Sequence, residues 1–212
     1  MSLFRLDASI NPGASASRAL GDIVEAEWLA ANPGGTVVRR DLGAEPLPAG
    51  AWTDALRASW TPEEARTDAQ RAAIAFAAGQ AEELRAAEAA LLTVPLYNFG
   101  VPQHVKAWID VVIAGAKSAN EPLLAGKPAV LSVVRGGAYG AGTPRAGWDH
   151  STDYLRRILA DVWGADLTLV EREFTLVGVN PALDQFKDVA AQLKDEAHAA
   201  AREAGRALAA AV

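Results

Sequence analysis

The stretch Ala89-Ala90-Leu91-Leu92-Thr93-Val94, running directly into Pro95-Leu96-Tyr97-Asn98-Phe99-Gly100-Val101-Pro102, decides the fold. Its first half is a short, nearly continuous apolar run, the pattern of a strand covered on both faces. A second such run, Pro128 to Val134, follows it, and Leu3 to Ala8, Thr36 to Asp41 and Asp166 to Glu173 read as three further strands. Helical periodicity fills the gaps between them. Ser17 to Ala31 spaces Leu20, Ile23, Val24 and Trp28 three and four residues apart. Thr61-Pro62-Glu63-Glu64 carries a cap residue, a proline and first-turn acids, and predicts a helix running to about Ala87. Val105, Trp108, Ile109, Val112 and Ile113 mark a third helix, and Asp153 to Trp163 a fourth, closed by Gly164. Leu183, Phe186, Val189 and Leu193 open a last helix that continues as an alanine-rich stripe to Leu208.

Regular alternation of strand and helix predicts an α/β fold. One five-stranded parallel sheet carries helices on both faces, with right-handed crossovers. Leu42 to Trp60 reads as the one long irregular connection. No repeat or Gly/Pro/Ser-rich linker divides the 212 residues, so a single domain over 1–212 is expected.

Composition narrows the function classes. Against 26 acidic side chains stand 20 basic ones, a net charge of −6 with no basic stripe, which disfavours nucleic acid as a partner. The absence of cysteine removes disulfides, thiolate metal sites and cysteine nucleophiles. No basic-then-apolar leader opens the chain, and no apolar run reaches the ~18 residues of a bilayer span, so a cytoplasmic protein without membrane contact is expected.

In open parallel sheets ligands bind outside the carboxyl ends of the strands, where strand order reverses. For the order 2-1-3-4-5, the loops after the first, third and fourth strands converge there. The first reads Ser9-Ile10-Asn11-Pro12-Gly13-Ala14-Ser15-Ala16-Ser17 and enters a helix. Three hydroxyls and free backbone N–H groups at a helix N-terminus suit a phosphate monoester, although one serine alone would serve as a cap. The loop has neither the Gly-Lys-Ser/Thr of a Walker motif nor the glycines of a dinucleotide fingerprint, which points to a mononucleotide. The third loop, Pro95-Leu96-Tyr97-Asn98-Phe99, offers apolar and aromatic groups. They either fold over the core or wall a flat heteroaromatic ring. The fourth, Arg135-Gly136-Gly137-Ala138-Tyr139, places glycines at the strand end, where they allow close backbone approach or simple flexibility.

Together, Ser9…Ser15-Ala16-Ser17, Pro95-Leu96-Tyr97-Asn98-Phe99 and Arg135-Gly136-Gly137 resemble the FMN-dependent NADH-azoreductases, members of the flavodoxin-like NAD(P)H:quinone oxidoreductases. The likeness spans nearly the whole chain. It implies FMN phosphate bound by Ser9, Ser15, Ala16 and Ser17. It also implies ring contacts from Pro95, Leu96, Tyr97, Asn98 and Phe99, and from Val134, Arg135, Gly136, Gly137 and Tyr139. Val134 stands where a serine often precedes Arg-Gly-Gly. The likeness further implies NADH or NADPH as donor, a quinone or azo compound as acceptor, and a homodimer, the last also suggested by an apolar helix bearing Trp108 and Ile109. Flavin chemistry of this kind needs no catalytic acid from the protein, and no metal ligands are expected. The rival readings are a flavodoxin-like electron carrier and a redox-inactive flavin-binding relative.

Other signals are weaker. Gly13 to Ser17 lacks the final glycine of a nucleophile elbow. His104, His150 and His198 have no metal-ligand spacing; His104 and His198 are expected to face solvent, and His150 lies near the active edge. Asp7 stands alone, without the acidic cluster of a phosphoacceptor domain. The connection Gly115 to Lys127 is short and free of aromatics, which predicts an open slot favouring compact quinones over azo dyes. Trp60, Tyr139 and Trp148 are the candidates to replace a lid.

Overall fold

The computed structural model describes residues 1–212. Five parallel strands, β1 (Ser2–Asp7), β2 (Thr36–Asp41), β3 (Ala89–Pro95), β4 (Pro128–Val134) and β5 (Asp166–Arg172), lie in the order β2-β1-β3-β4-β5. This is the expected order, with its reversal between β1 and β3. All seven residues of β3 are buried, as its apolar run requires. The six α-helices are α1 (Ala16–Ala31), α2 (Ala51–Ser59), α3 (Asp68–Ala86), α4 (Gln103–Gly115), α5 (Thr152–Arg156) and α6 (Lys187–Ala210).

Alternation along the strands splits the core in two. Phe4, Leu6 and Ala8 of the β1 segment face one cluster, in which Trp108 of α4 stacks on Phe4 (5.9 Å) and meets Trp163 edge-on (5.7 Å). Leu3 faces the other, where α1 supplies Leu20, Val24 and Trp28, and α6 supplies Ala197, Ala201, Ala204 and Leu208. The alanine stripe lets α6 lie close to α1. A Cβ on Gly205 would stand 2.6 Å from the Val24 carbonyl oxygen.

Five expectations need correction. The Leu42 to Trp60 connection contains α2, whose buried face is only Ala55 and Ala58, too small to register as an apolar stripe. The helix expected at Thr61 begins at Asp68, because Thr67 and Gln70 form a complete capping box and the preceding Glu63–Ala65 is a separate 3₁₀ turn. Likewise α6 starts after a 3₁₀ turn at Pro181–Phe186, and α5 passes into a π-helical turn at Arg157–Val162, in which Trp163 N–H donates to the Ile158 carbonyl at 2.8 Å. Trp108 and Ile109 are buried in the core, so they offer no surface to a second copy.

Asp7 does not stand alone. On the α1 face of β1, Arg5 is 3% exposed and bonds Asp7 through Nε and Nη2 (both 3.1 Å), Glu25 (3.0 Å) and Asp22 (2.7 Å). Thr93 Oγ1 donates to Asp7 at 2.7 Å, which carries the network to β3. Burial alone would lower the Arg5 pKa, but the carboxylates outweigh it and raise it further. Arg5→Met should therefore take from the buried Asp7 and Glu25 the counter-ion they share, leaving Arg18 at 3.9 Å from Asp7 and Arg39 on Glu25, and cost about 3 kcal/mol. Urea unfolding checks this, and a loss under about 1 kcal/mol would show that the network does not support the fold.

Candidate active site

The loops after β1, β3 and β4 meet at the carboxyl edge of the sheet, and side-chain bonds fasten them to one another. Tyr97 Oη accepts from Ile10 N–H (3.2 Å), joining the first loop to the third. His104, far from facing solvent, directs Nε2 at the Ala8 carbonyl (2.8 Å) and ties the start of α4 to the end of β1. Arg18 clamps Asp41 (2.6 and 2.7 Å) and the Ser9 carbonyl (2.8 Å), and this pairing with Arg18 holds the Asp41 carboxyl below its ordinary pKa.

In the first loop, Ser15 is the N-cap of α1. Its Oγ accepts from Arg18 N–H (3.2 Å) and shares a bond with Ser17 Oγ (3.1 Å). Ser17 is fully buried behind it, and Ser9 is buried too, its Oγ accepting from Asn11 N–H at 3.2 Å. Of the three hydroxyls, Ser15 is the one on the open side. The backbone N–H groups of Ala14, Ser15, Ala16 and Ser17 donate to nothing within the chain. Such N–H groups at a helix start form a seat for an anion.

The third loop closes as a tight turn, with Gly100 N–H donating to Tyr97 O at 3.0 Å. Asn98 (φ 48°) and Phe99 (φ 67°) are both left-handed, a conformation that is a marked outlier for phenylalanine. Strain of this kind collects where a loop must present particular groups. Here the turn leaves Asn98 and Phe99 N–H free and the Phe99 ring 40% exposed. Pro95 is buried at the strand end, and Leu96 N–H bonds Val134 O (2.9 Å).

In the fourth loop, Val134 is buried in the α1–α6 core cluster. The Arg135 side chain turns into a carboxylate network: Nε to Asp149 (2.6 Å), Nη2 to Glu171 (2.6 Å) and to Thr152 Oγ1 (3.0 Å). Burial would raise the Asp149 pKa, but bonds from Thr152, Ser151 and Arg135 lower it overall. Gly136 and Gly137 keep free N–H groups, while their carbonyls accept from Leu176 and Phe174. Tyr139 and Trp148 both lie beside Phe99, at centroid distances of 6.4 Å and 5.5 Å, and the Arg145 guanidinium sits 5.7 Å from the Tyr139 ring. Asp149 and Arg145, which carry no motif of their own, were invisible in the sequence. His150 is exposed, and only its backbone is engaged, with N–H to Phe99 O at 2.9 Å.

The short Gly115 to Lys127 connection is not part of this edge. It joins the end of α4 to the start of β4 at the opposite, amino edge, where Leu124 N–H bonds Trp163 O (2.8 Å) and Gly126 N–H bonds Gly164 O (2.9 Å). Its length therefore says nothing about the openness of the slot formed by this chain's own loops. Trp60 also takes no part, being 73% exposed and stacked on no ring, which leaves Tyr139 and Trp148 as the covering aromatics. No cluster of His, Cys, Asp or Glu could hold a metal, and no helix is long and apolar enough to cross a membrane.

Comparison with known proteins agrees with this arrangement. Residues 1–204 match the family described as Flavodoxin-like fold. A protein of Frankia alni named FMN-dependent NADH:quinone oxidoreductase is 39% identical over 191 residues, covering 88% of this chain and 90% of its own. One of the same name from Streptomyces avermitilis is 36% identical, covering 92% and 91%. Among solved structures, an azoreductase from Bacillus anthracis superposes with a TM-score of 0.78 at 22% identity, over 98% of this chain and 99% of its own. A second B. anthracis structure, an FMN-dependent NADH-azoreductase in complex with FMN, gives 0.76 at 16% identity, over 98% and 99%. At those identities the structures speak for the fold, and the curated relatives speak for the family. The chain belongs to the flavodoxin-like fold family and, within it, to the FMN-dependent NADH:quinone oxidoreductases.

Proposed function

We propose that this chain is an FMN-dependent oxidoreductase that passes hydride from NADH or NADPH to quinones or aromatic azo compounds. We read residues 1–212 as one flavin-binding unit. One observation carries the reading: backbone N–H groups on three separate loops, at Ala14 to Ser17, Asn98 to Phe99 and Gly136 to Gly137, have no acceptor in the chain and gather at the reversal of strand order. That donor set fits a phosphate at the α1 N-terminus and the polar edge of a flat ring between the other two loops. The names of relatives matched over about nine-tenths of their length support the same cofactor and donor.

When bound, FMN supplies the hydride relay, chemistry that no side chain here can perform. The chain's own part is placement. Ser15 offers its hydroxyl to the phosphate with Ser17 behind it, and Arg18 with Asp41 fixes the loop on which both sit. The strained turn aims the Asn98 and Phe99 N–H groups outward, and Phe99, Tyr139 and Trp148 keep water from the slot. Arg135 serves by position: its guanidinium holds Asp149 and Thr152, and the next residue, His150, supports the Phe99 carbonyl. The reading includes a homodimer in the cytoplasm, two-fold pairs being the commonest assemblies, with exposed Trp52 and Trp60 as its apolar surface.

An electron carrier that does not turn over nicotinamide is the rival. Loss of the flavin's visible absorbance on adding NADH or NADPH, and its return on adding a quinone, is expected of the enzyme. A spectrum unmoved by either nicotinamide would assign the chain to the rival. The phosphate assignment has its own test. A hydrogen bond to a charged group contributes about 1.5–3 kcal/mol, so Ser15→Ala with Ser17→Ala, which removes the hydroxyl facing the phosphate and the one behind it, should weaken FMN at least ~10-fold and leave riboflavin binding unchanged. Unchanged FMN affinity in flavin-fluorescence titrations would sink the assignment. Finally, Trp148→Ala removes stacking worth about 0.5–1.5 kcal/mol, so kcat/KM for two-ring azo dyes should fall by up to about tenfold, and less for single-ring quinones. An equal loss for both acceptors would show that Trp148 does not cover the acceptor.

A further inference from the structure

A cleft of about 520 Å³ opens beside the first loop, with Gly13, Ser15 and Ala16 on one wall. The opposite wall is cationic. It is made by Arg172 at the end of β5 and by Lys194 and His198, which are four residues apart on α6 and so share one of its faces. In a chain of net charge −6 whose two buried arginines, Arg5 and Arg135, are each bound by several carboxylates, these groups are exceptional. Arg172, Lys194 and His198 have no carboxylate within 4.0 Å. Arg172 Nε and His198 Nε2 are buried without any hydrogen-bond partner in the chain.

The two other charged groups on the lining are already engaged, Asp22 by Arg5 (2.7 Å) and Arg18 by Asp41 (2.6 Å). Burial with no counter-ion pulls the Arg172 pKa below its ordinary value. His198 is likewise lowered, by burial and then by Arg172, Lys194 and Arg202, with Asp195 only partly offsetting them. A half-buried guanidinium whose Nε is buried without an acceptor is costly to the folded chain unless something else supplies one. The facing loop carries the unpaired N–H groups of Ala14, Ser15 and Ala16, so donors converge on the cleft from both walls and no acceptor meets them.

We propose that this cleft binds a phosphoryl group held between the first loop and a cationic wall of Arg172, Lys194 and His198. Arg172 supplies the forked donor that matches phosphate oxygens, Lys194 supplies the charge behind it, and His198 supplies an imidazole N–H. The proposal deepens the reading of the first loop as a phosphate seat and rests on it for the loop wall. The phosphoryl group has two possible sources: the terminal phosphate of FMN, or the ribose phosphate that distinguishes NADPH from NADH.

The test uses Arg172→Gln and Arg172→Lys in the full chain. Inorganic phosphate should raise the melting temperature of flavin-free wild type and leave that of Arg172→Gln unmoved. Without phosphate, Arg172→Gln should melt at or above the wild-type temperature, because a half-buried charge with no counter-ion is gone; a merely structural arginine would instead cost stability. If FMN fills the cleft, the variant should bind FMN roughly ten- to a hundredfold more weakly with riboflavin unaffected, and Arg172→Lys should recover part of the loss. If the nicotinamide nucleotide fills it, KM for NADPH should rise with KM for NADH constant. Phosphate protection and both ratios unchanged in Arg172→Gln would overturn the proposal. The Ser15/Ser17 variant separates the two claims: FMN lost there, with FMN affinity, KM for NADPH and phosphate protection all unchanged in Arg172→Gln, refutes the cleft and keeps the loop, and the reverse refutes the loop and keeps the cleft.

Discussion

A single guanidinium buried between the sheet and its first helix sets the position of everything at the carboxyl edge. Arg5 joins Asp7 on its own strand to Glu25 and the exposed Asp22 on α1, so the helix cannot slide or roll over β1 without separating the buried charges of Arg5, Asp7 and Glu25. Thr93 extends the same network to β3, across the reversal of strand order. α1 also approaches closely there: a Cβ on Gly21 would lie 2.5 Å from Thr93 Cγ2. The seat at the helix start is thus fixed relative to the two strands whose loops flank it. Purely apolar packing would hold α1 to the sheet but would specify its register less sharply.

The loops are then fixed to one another by polar contacts instead of by a lid. Tyr97 to Ile10, His104 to Ala8, and Arg135 to Asp149 are each one bond long, and each links a different pair of segments. None of them reaches into the slot by itself. They set the positions of backbone groups, which explains how a site can be specific while showing almost no chemistry-bearing side chains. It also explains why the Arg-Gly-Gly motif is informative for two separate reasons: the glycines leave N–H groups free, and the arginine braces the segment behind Phe99.

Much of this was legible in the chain. The apolar runs of β3 and β4 announced a sheet covered on both faces, and the loops after β1, β3 and β4 announced themselves by composition. What escaped was long-range or small in scale. Asp7 reads as isolated because its partner Arg5 is shared with Asp22 and Glu25 on α1, and its hydroxyl donor Thr93 lies 86 residues away on β3. α2 escaped because Ala55 and Ala58 bury too little surface to form a stripe. The capping box at Thr67 was outshone by the stronger-looking Thr61-Pro62-Glu63-Glu64, whose threonine instead accepts from Gln70 Nε2 at 3.1 Å. The lid reading failed for topological reasons: a loop leaving the end of α4 must lie at the edge away from the site, whatever its composition.

The π-helical turn at Arg157–Val162 has a consequence for how the chain tolerates length changes. Its i→i−5 bond from Trp163 to Ile158 accommodates one residue more than an α-helical turn over the same rise. Wound instead as a regular α-helix, the same residues would rotate all that follows by about 100°, the arc of one residue in an α-helix. Trp163 would swing off Trp108, and β5, which begins three residues later at Asp166, would enter the sheet out of step with β4. In strands of period two, a one-residue slip exchanges the faces. Arg172 would then turn away from α6, so the register of a distant edge strand, and with it the charge presented to the first loop, depends on a single extra residue in a short helix.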